Sequence, residues 1–530
     1  SSSSSGGNVV SVELDFNNTH NISPLIYGFN QDHESLSSDN NFTARRLGGN
    51  RMSVFNWENG ASNSGHDQSN YPNDNRIASL VGLLWADKDK PGAVYQKFHQ
   101  DNLDADLTSI ITVPLLGWVA ADKDGGNTTA PPSARWDELV IEKDAAFSLT
   151  PDTTDNKVYV DESIHFLKET FGSASTANGV KYISLGNEPG LWNTGHDIVT
   201  QAQKVNAADY VQKVIATAIA VKSVDPEVQI IVGELAGINI YDLRTAPDWP
   251  TVGSGYDWFV SYLLDELKQA SDAQGYRLAD IVAFHNYPQH KVDANGNFSN
   301  GGTVVKTSTS TAGYIRETRM DFARSMWDTS YIEPSWLTAS KLNNQPNNIL
   351  GRIQNSIDTY YPGTKIMLGE FDYGHDTDIS HGIAIADLLG VLADKNVTIA
   401  TRWDLNVNND GVYTNAAYKL FRNYDGSNGG YGDMAVPTTF THVDSASVWA
   451  SVDTSSNDLH LIILNKDINN NRDFSIDLGS VHSHSIKGVY GFDGSSSDIL
   501  VRPLIGALSG GKLDITLPEL GAYHVVLTRN

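Results

Sequence analysis

The chain has 530 residues, and 40% hydrophobic residues with 45 glycines and 18 prolines are typical of a folded, loop-rich globular protein. Its net charge of -26 disfavours nucleic acid, anionic lipid and acidic polysaccharides as partners, so a polymeric substrate is expected to be neutral. The sequence contains no cysteine, which excludes disulfides, thiolate nucleophiles and cysteine-ligated zinc, and no apolar run is long enough to span a bilayer.

The chain opens with a Ser/Gly-rich stretch, 1–7, which predicts a flexible N-terminus. This stretch resembles a linker remnant or a freshly processed end, so we expect a secreted, extracellular protein. The length predicts a large catalytic domain at 24–433 and a smaller β-sandwich domain made of 8–23 and 434–530. We expect the protein to be a monomer.

Eight short apolar segments, several of which end in polar residues, alternate with stretches of helical periodicity. The segments are 24–31, 44–50, 108–118, 181–189, 228–237, 279–288, 365–374 and 397–404. This pattern predicts an α/β fold with a (β/α)8 TIM barrel. From about residue 434 onward, short alternating strands broken by Asp, Asn, Gly and Ser predict an additional all-β sandwich domain, which the strand-like segment 9–16 is expected to join.

Two glutamates at the ends of barrel strands suggest glycosidic bond hydrolysis. Glu188 closes the fourth segment in Gly-Asn-Glu-Pro, and Glu370 closes the seventh in Leu-Gly-Glu-Phe. Side chains at the C-terminal ends of barrel strands converge on one pocket, so these carboxyl groups can face each other. A retaining glycosidase needs an acid/base and a nucleophile roughly 5 Å apart, and we assign these roles to Glu188 and Glu370 respectively. Glu234 and Glu333 are competing carboxylates without the Asn-Glu-Pro context.

Neighbouring segments supply groups that such a pair requires. Arg46 is expected to keep the nucleophile ionised, and His285 and Tyr287 project to the same side of one strand. Tyr287 is expected to donate a hydrogen bond to Glu370, and Asn187 is placed to bind a sugar hydroxyl. Trp403 would form the floor under the sugar. Four further tryptophans are predicted to stack on sugars in the cleft, namely Trp57, Trp118, Trp192 and Trp327.

The segment 149–156 contains Asp152 and Asp155, a spacing that suits an oxygen-ligated cation such as calcium. Glu58 is a third ligand if its loop folds alongside. An ordinary solvated acidic turn explains the same spacing. Because the mechanism uses only carboxyl groups, no catalytic cofactor is expected and calcium would be structural.

Several blocks of the sequence resemble glycoside hydrolase family 44, secreted bacterial endo-β-1,4-glucanases and xyloglucanases. The blocks include 22–28, 45–52, 56–59, 133–136, 158–162, 327–328, 333–336 and 422–426, so the resemblance covers essentially the whole chain. It implies a barrel with a β-sandwich, retention of configuration, acid/base and nucleophile roles at Glu188 and Glu370, and a neutral plant cell-wall β-glucan such as xyloglucan as the substrate. Family members also bind calcium, which favours a site at Glu58, Asp152 and Asp155.

The chain departs from the family pattern beside these motifs. Gly186 replaces the usual Asp before Asn-Glu-Pro, and Gly369 and Phe371 replace the Thr and Tyr around the nucleophile. Asn286 stands where a Trp is usual, and Gln289 where a Glu is usual. These changes leave both glutamates in place but put the substrate preference in doubt.

Two other functions fit parts of the pattern. An exo-acting barrel glycosidase resembling an arabinofuranosidase shares the Gly-Gly-Asn of the second segment and the Asn-Glu of the fourth, and a blind pocket would favour it. A non-catalytic carbohydrate-binding barrel would be expected to lose one of the two glutamates, and both are present.

Overall fold

The computed structural model describes residues 8–237, 245–403 and 412–530. Eight parallel strands close a barrel in chain order, and we number them one to eight. They span Gly28–Asn30, Ala44–Leu47, Thr108–Val113, Tyr182–Leu185, Gln229–Ala236, Ile281–Asn286, Lys365–Phe371 and Ile399–Arg402. Each strand lies within one of the eight predicted segments, and the last residue of the eighth segment, Asp404, falls outside the described residues. The predicted TIM barrel is confirmed.

Helices surround the barrel. Their apolar residues recur every three or four positions, so each helix has an apolar face that it buries. In Ala207–Val224, for example, Tyr210, Val211, Val214 and Val221 are fully buried. The other helices of ten or more residues are Ala93–Asp104, Val160–Phe171, Phe259–Gln274, Ile349–Tyr360, Ile379–Asp394 and Val412–Arg422. Shorter helices are Arg76–Leu80, Trp192–Gly195, Asp197–Thr200, Trp249–Val252, Gly313–Met320, Arg324–Trp327 and Trp336–Lys341. Among the helices of the described ranges, none is both long and apolar enough to cross a membrane.

Two antiparallel-rich sheets follow the barrel in sequence and include strands from the start of the chain. The five-stranded sheet has the order Thr438–Phe440, Val10–Leu14, Arg472–Asp477, Lys512–Leu517 and Gly506–Ser509. The seven-stranded sheet has the order His20–Asn21, Met434–Val436, Ala446–Val452, Leu459–Asn465, Ala522–Arg529, His484–Asp493 and Ser496–Val501. Val10–Leu14 pairs on both sides with strands from beyond residue 437, as the β-sandwich prediction requires.

The helix Ile379–Asp394 packs between the barrel and the seven-stranded sheet. Nearly every residue of this helix is buried. On the side that faces the sheet, the ring of Trp449 lies directly against Gly390. Asp387 accepts hydrogen bonds from the Trp449 indole at 2.9 Å and from Lys466 at 2.7 Å. These buried polar contacts fix the register between the two parts of the fold.

Small sheets and loops extend the carboxyl-terminal rim of the barrel. Trp118–Ala120, Trp136–Val140 and Lys157–Tyr159 form a three-stranded sheet. Two shorter pairs join Ser62–Asn63 to Asn73–Asp74 and Lys291–Val292 to Thr303–Val304.

Candidate active site

Glu188 lies immediately after the fourth barrel strand in a left-handed backbone conformation, with φ of 44°. Its backbone N–H donates to the carbonyl of Glu234 at 3.0 Å, and Pro189 begins a short 3-10 turn after it. This geometry turns the side chain into the barrel mouth, where 19% of it remains exposed. Its Oε1 is 2.8 Å from Nδ1 of His285.

Glu370 enters the same space from the seventh strand, with only 6% of its side chain exposed. Arg46 from the second strand donates to its Oε1 at 3.0 Å, and the Tyr287 hydroxyl donates to its Oε2 at 2.7 Å. These are the contacts that the sequence predicts for Arg46 and Tyr287. They orient both oxygens and supply a positive charge beside the carboxylate.

The two glutamates face each other across His285. One carboxylate oxygen of Glu188, one of Glu370 and a ring nitrogen of His285 all lie within 4.8 Å of one another. His285 Nδ1 is also 3.6 Å from Glu370 Oε2. A separation of this size leaves room for a glycosidic bond between the carboxyl groups but not for an additional water molecule on the opposite face of the sugar.

The surroundings give the two carboxyl groups different properties. Burial raises the pKa of Glu188, and the charge of Glu370 raises it further, while His285 and Arg46 oppose the change. For His285, burial favours the neutral ring, but Glu370 and the hydrogen bonds to Glu188 and Glu234 outweigh it and raise the pKa to about 10. The site therefore combines a carboxyl group whose pKa is raised with a second carboxyl group that accepts hydrogen bonds from Arg46 and Tyr287.

Glu234, one of the competing carboxylates, is fully buried beneath this pair. Its oxygens accept from Arg46 at 3.1 Å and from Ser184 at 2.9 Å, and lie 2.8 Å from His285 Nε2. Burial raises its pKa, but Arg46 and His285 outweigh this and lower the pKa to about 2. Glu234 therefore stays ionised and cannot serve as a proton donor at moderate pH.

Two polar residues that form hydrogen bonds with the charged side chains of the site were not predicted from the sequence. Asn30 accepts from Arg46 at 2.8 Å and donates to the carbonyl of Gly369 at 3.0 Å, and Ser184 binds Glu234. Asn30 ends the first strand, and a polar residue at that position was a usable signal. Asn187 accepts from Arg46 at 2.8 Å and is 2% exposed, so its expected contact with a sugar remains a prediction.

The tryptophans divide into cleft and core. Two of the predicted stacking residues, Trp57 and Trp192, are buried, which argues against stacking on sugar, whereas Trp327 is partly buried and its stacking stays a prediction. Trp57 and Trp192 are 4% and 3% exposed, and their indoles donate to the carbonyls of Tyr159 and Asn187. Trp327 packs edge-on against Trp449, with ring centroids 5.6 Å apart, on the side of the β-sandwich.

Trp403 and Trp118 are only partly buried. The Trp403 ring lies so close to Gly49 that a Cβ there would be 2.5 Å from it, and Gly49 has φ of 89°. A glycine is required at that turn, and the strand-two loop thereby supports Trp403. Trp118 lies in the three-stranded rim sheet. Their contacts with sugar remain predictions.

A cavity of about 220 Å³ opens beside Glu188 and is not lined by Glu370. Two departures from the family pattern, Asn286 and Gln289, line this cavity together with Trp336. Gln289 accepts from the Trp336 indole at 3.2 Å and so fixes the orientation of the ring. Trp336 is not among the tryptophans that the sequence predicts to line the cleft.

The predicted calcium ligands do not assemble as a set of three. Among the described residues, the acidic and histidine groups with ligand atoms within 4.8 Å of one another include only Glu188, His285 and Glu370. Asp152 is exposed, and its Oδ1 accepts from the backbone and hydroxyl of Thr154. Asp155 is exposed as well, and its Oδ1 accepts from the Lys157 N–H at 2.9 Å, so the three-ligand site stays a prediction.

Glu58 is the buried member of the predicted set. It is 2% exposed, and within the described chain its Oε1 has no hydrogen-bond partner. Burial raises its pKa to about 8, together with the charges of Asp155, Glu162 and Asp137. A buried carboxylate among other carboxylates is a group whose charge a hard, oxygen-ligated cation can neutralise.

Comparisons with known proteins match the chain to one family of enzymes. The model of glycoside hydrolase family 44 matches residues 61–290. Endoglucanase A of Paenibacillus lautus is 39% identical over 510 residues, covering 96% of this chain and 70% of that protein. The β-mannanase/endoglucanase A of Caldicellulosiruptor saccharolyticus is 34% identical, covering 95% of this chain and 38% of that protein.

A family 44 xyloglucanase from Paenibacillus polymyxa superimposes with a TM-score of 0.91 at 40% identity, covering 99% of this chain and 100% of that structure. The same kind of enzyme has also been solved with xyloglucan, at the same TM-score and identity. Full-length similarity at this level, with both glutamates facing one cleft, identifies the chain as an endo-acting enzyme rather than an arabinofuranosidase or a binding protein. The chain belongs to glycoside hydrolase family 44 and is a glycoside hydrolase of the endoglucanase and xyloglucanase type.

Proposed function

We propose that this enzyme cleaves β-1,4-glucan backbones, and xyloglucan in preference to other polymers, with retention of configuration. In this proposal Glu188 is the acid/base and Glu370 the nucleophile. The observation that carries it is the spacing within 4.8 Å of one oxygen from each carboxyl group. Retaining enzymes hold these groups roughly 5 Å apart, whereas inverting enzymes need about 6.5 Å or more.

The contacts of each glutamate support its role. In the first step, a Glu370 oxygen attacks the anomeric carbon while Glu188 protonates the glycosidic oxygen, so the bond to the leaving sugar breaks and a glycosyl ester forms. In the second step, Glu188 takes a proton from water, whose oxygen attacks the same carbon and releases Glu370. Arg46 and Tyr287 donate hydrogen bonds to the two oxygens of Glu370 and orient it for attack.

The preference for xyloglucan is supported by the Paenibacillus polymyxa relative and by the charge of -26, which favours a neutral polymer. A panel of xyloglucan, mixed-linkage glucan, cellulose, mannan and xylan tests it. We expect the highest kcat/KM on xyloglucan and a fall in viscosity well before much reducing sugar appears. Higher activity on mannan, or a monosaccharide as the first product, would contradict the proposal.

The stereochemistry has its own test. Proton NMR of a reaction sampled before mutarotation should show the β anomer as the first reducing end. An initial α anomer would mean inversion and would overturn the role of Glu370 as nucleophile.

We also propose a structural calcium ion held by Glu58, Asp152 and Asp155, with the charges of Glu162 and Asp137 nearby. It would neutralise carboxylates beneath the rim sheet and take no part in the chemistry. Export of the enzyme and a monomeric state are further proposals. Assay of culture supernatant and size-exclusion chromatography test them.

A further inference from the structure

Glu234 is a fully buried carboxylate that takes no part in the two proposed steps. It lies at a bulge in the fifth strand, where the register shifts between Gly233 and Leu235, and its φ is 47°. A non-glycine residue in this left-handed conformation costs on the order of 1 kcal/mol and persists only where its surroundings hold it. The bulge directs the carboxylate inward to a fully buried position.

The seventh strand makes room for this carboxylate. A Cβ at Gly369 would lie 2.0 Å from Glu234 Oε2 and 3.2 Å from His285 Nε2. No residue larger than glycine fits there without displacing the carboxylate. The Glu234 carboxylate can therefore occupy its position only because residue 369, directly before the nucleophile, has no side chain.

His285 lies between carboxylates on both sides of its ring. Glu188 from the fourth strand is 2.8 Å from Nδ1, and Glu234 from the fifth is 2.8 Å from Nε2. Glu370 from the seventh strand is 3.6 Å from Nδ1. A neutral imidazole has one donor, whereas the imidazolium has two, so in the state in which Glu188 is ionised only the charged ring donates to both carboxylates. The other charged group is Arg46 on the second strand, which binds Glu234 and Glu370.

We propose that Glu234 is a positioning residue that keeps His285 doubly protonated and oriented, so that Nδ1–H donates to Glu188 and sets the pH range in which Glu188 exchanges its proton. The inference rests on the proposed acid/base role of Glu188. Glu234 also accepts the Glu188 backbone N–H through its own carbonyl, so it fixes the acid/base at two points.

The charges of the cluster support this role. The pKa of His285 is raised to about 10 although burial alone would lower it, and Glu234 contributes one of the hydrogen bonds responsible. With Glu188 protonated, the two cations Arg46 and His285 balance the two carboxylates Glu234 and Glu370. Tyr287, whose pKa burial and Glu370 raise well above its usual value, stays neutral and adds no charge.

Glu234→Gln tests the proposal, because it removes the charge and keeps the shape. His285 should then lose its second proton, and the loss of a cation 2.8 Å from Glu188 and 3.6 Å from Glu370 should raise both their pKa values. We expect both limbs of the pH profile of kcat/KM to move to higher pH by about one unit, and activity on the acid limb to fall about tenfold. Glu234→Asp keeps the charge and should move both limbs back toward their wild-type positions.

Two further variants separate this role from a general loss of structure. Ser184→Ala removes a hydrogen bond to Glu234 without changing its charge and should leave both limbs in place. Gly369→Ala should displace the carboxylate and shift the limbs as Glu234→Gln does. A fall in activity by the same factor at every pH in Glu234→Gln would overturn the proposal.

Nitrogen-15 NMR of the His285 ring gives a readout that is independent of turnover. The wild-type ring should remain an imidazolium at about pH 8, and the ring in Glu234→Gln should be neutral there. A ring that stays charged in the variant would overturn the inference even if the glutamate roles are correct. If the ring is neutral but the limbs do not move, the link to Glu188 is wrong. Failure of the glutamate roles themselves would appear separately, in the stereochemical test and in chemical rescue of Glu188 and Glu370 variants.

Discussion

Replacing Glu58 by Gln should stabilise the calcium-free enzyme at alkaline pH. Glu58 is buried and its Oε1 has no partner among the described residues, while Asp155, Glu162 and Asp137 place negative charge around it. Its pKa in the folded chain is raised from 4.5 to about 8, mainly by burial and then by these charges. The unfolded chain therefore loses this proton first, so the contribution of Glu58 to stability is intact below pH 4.5 and is lost as the pH rises through about 8.

The size of the effect follows from the pKa difference. A rise from 4.5 to about 8 corresponds to about 5 kcal/mol if the full shift were realised. Lys143 and partial solvent access to the cluster reduce this, and we expect about 2 kcal/mol. In a chain of 530 residues that free energy corresponds to a change in Tm of about 2 °C.

Thermal unfolding in chelator at pH 4.5 and pH 8.5 measures this directly. Glu58→Gln should match the wild type at the lower pH and unfold at a higher temperature at the upper pH. Calcium should raise the Tm of the wild type and have little effect on the variant, whereas turnover well below the Tm should survive chelation. Asp425→Asn is the matched control and should keep the calcium response, because Asp425 is an exposed aspartate in a turn that contributes no predicted ligand. A Glu58→Gln enzyme that is less stable than the wild type in chelator at pH 8.5, or an Asp425→Asn enzyme without a calcium response, would refute the reasoning.

Two further predictions concern single contacts. Tyr287→Phe removes the hydroxyl that donates to Glu370 at 2.7 Å, and since hydrogen bonds to charged groups contribute about 1.5–3 kcal/mol, kcat/KM should fall roughly 10- to 100-fold with Tm nearly unchanged. Steady-state kinetics with calorimetry check this, and an unchanged kcat/KM would contradict it. Lys466→Met leaves Asp387 buried without its cation between helix and sheet, so unfolding should become easier by about 3–5 kcal/mol. Denaturant unfolding checks this, and a loss below about 1 kcal/mol would mean that the pair is not buried in solution.

The convergence of Glu188 and Glu370 could be predicted from sequence because barrel geometry brings the carboxyl ends of parallel strands together whatever their separation in the chain. Arg46, His285 and Tyr287 followed from the same rule, since each lies within one residue of the end of a barrel strand. The role of Glu234 did not follow. Its side chain is directed by a bulge, and a bulge shifts the register that sequence alternation assumes.

The surroundings of the tryptophans and of the acidic turn could not be predicted for a different physical reason. Trp57 and Trp192 lie in segments that look like loops, and only tertiary packing, such as Phe166 against Trp57, decides that their rings are buried. The spacing of Asp152 and Asp155 is the same in a ligand loop and in a solvated turn. A ligand loop and a solvated turn differ in whether neighbouring elements enclose the carboxylate. A short stretch of sequence does not contain that information.

The most direct measurement of the central claim is chemical rescue of the two glutamate variants with azide. Protonation matters most when the leaving group is poor, whereas nucleophilic attack is needed for every substrate. Glu188→Ala should lose polysaccharide hydrolysis by a factor on the order of 10² to 10⁴ yet still accept an aryl glycoside with a good leaving group. Its glycosyl ester should accumulate, and azide should accelerate its breakdown to a glycosyl azide of β configuration.

Glu370→Ala should be inactive on both kinds of substrate, and any azide product that it forms should have the α configuration, because azide then enters from the face that Glu370 occupied. If azide instead rescues Glu370→Ala to the β product while Glu188→Ala shows no rescue, the roles are reversed and the account of this site is wrong.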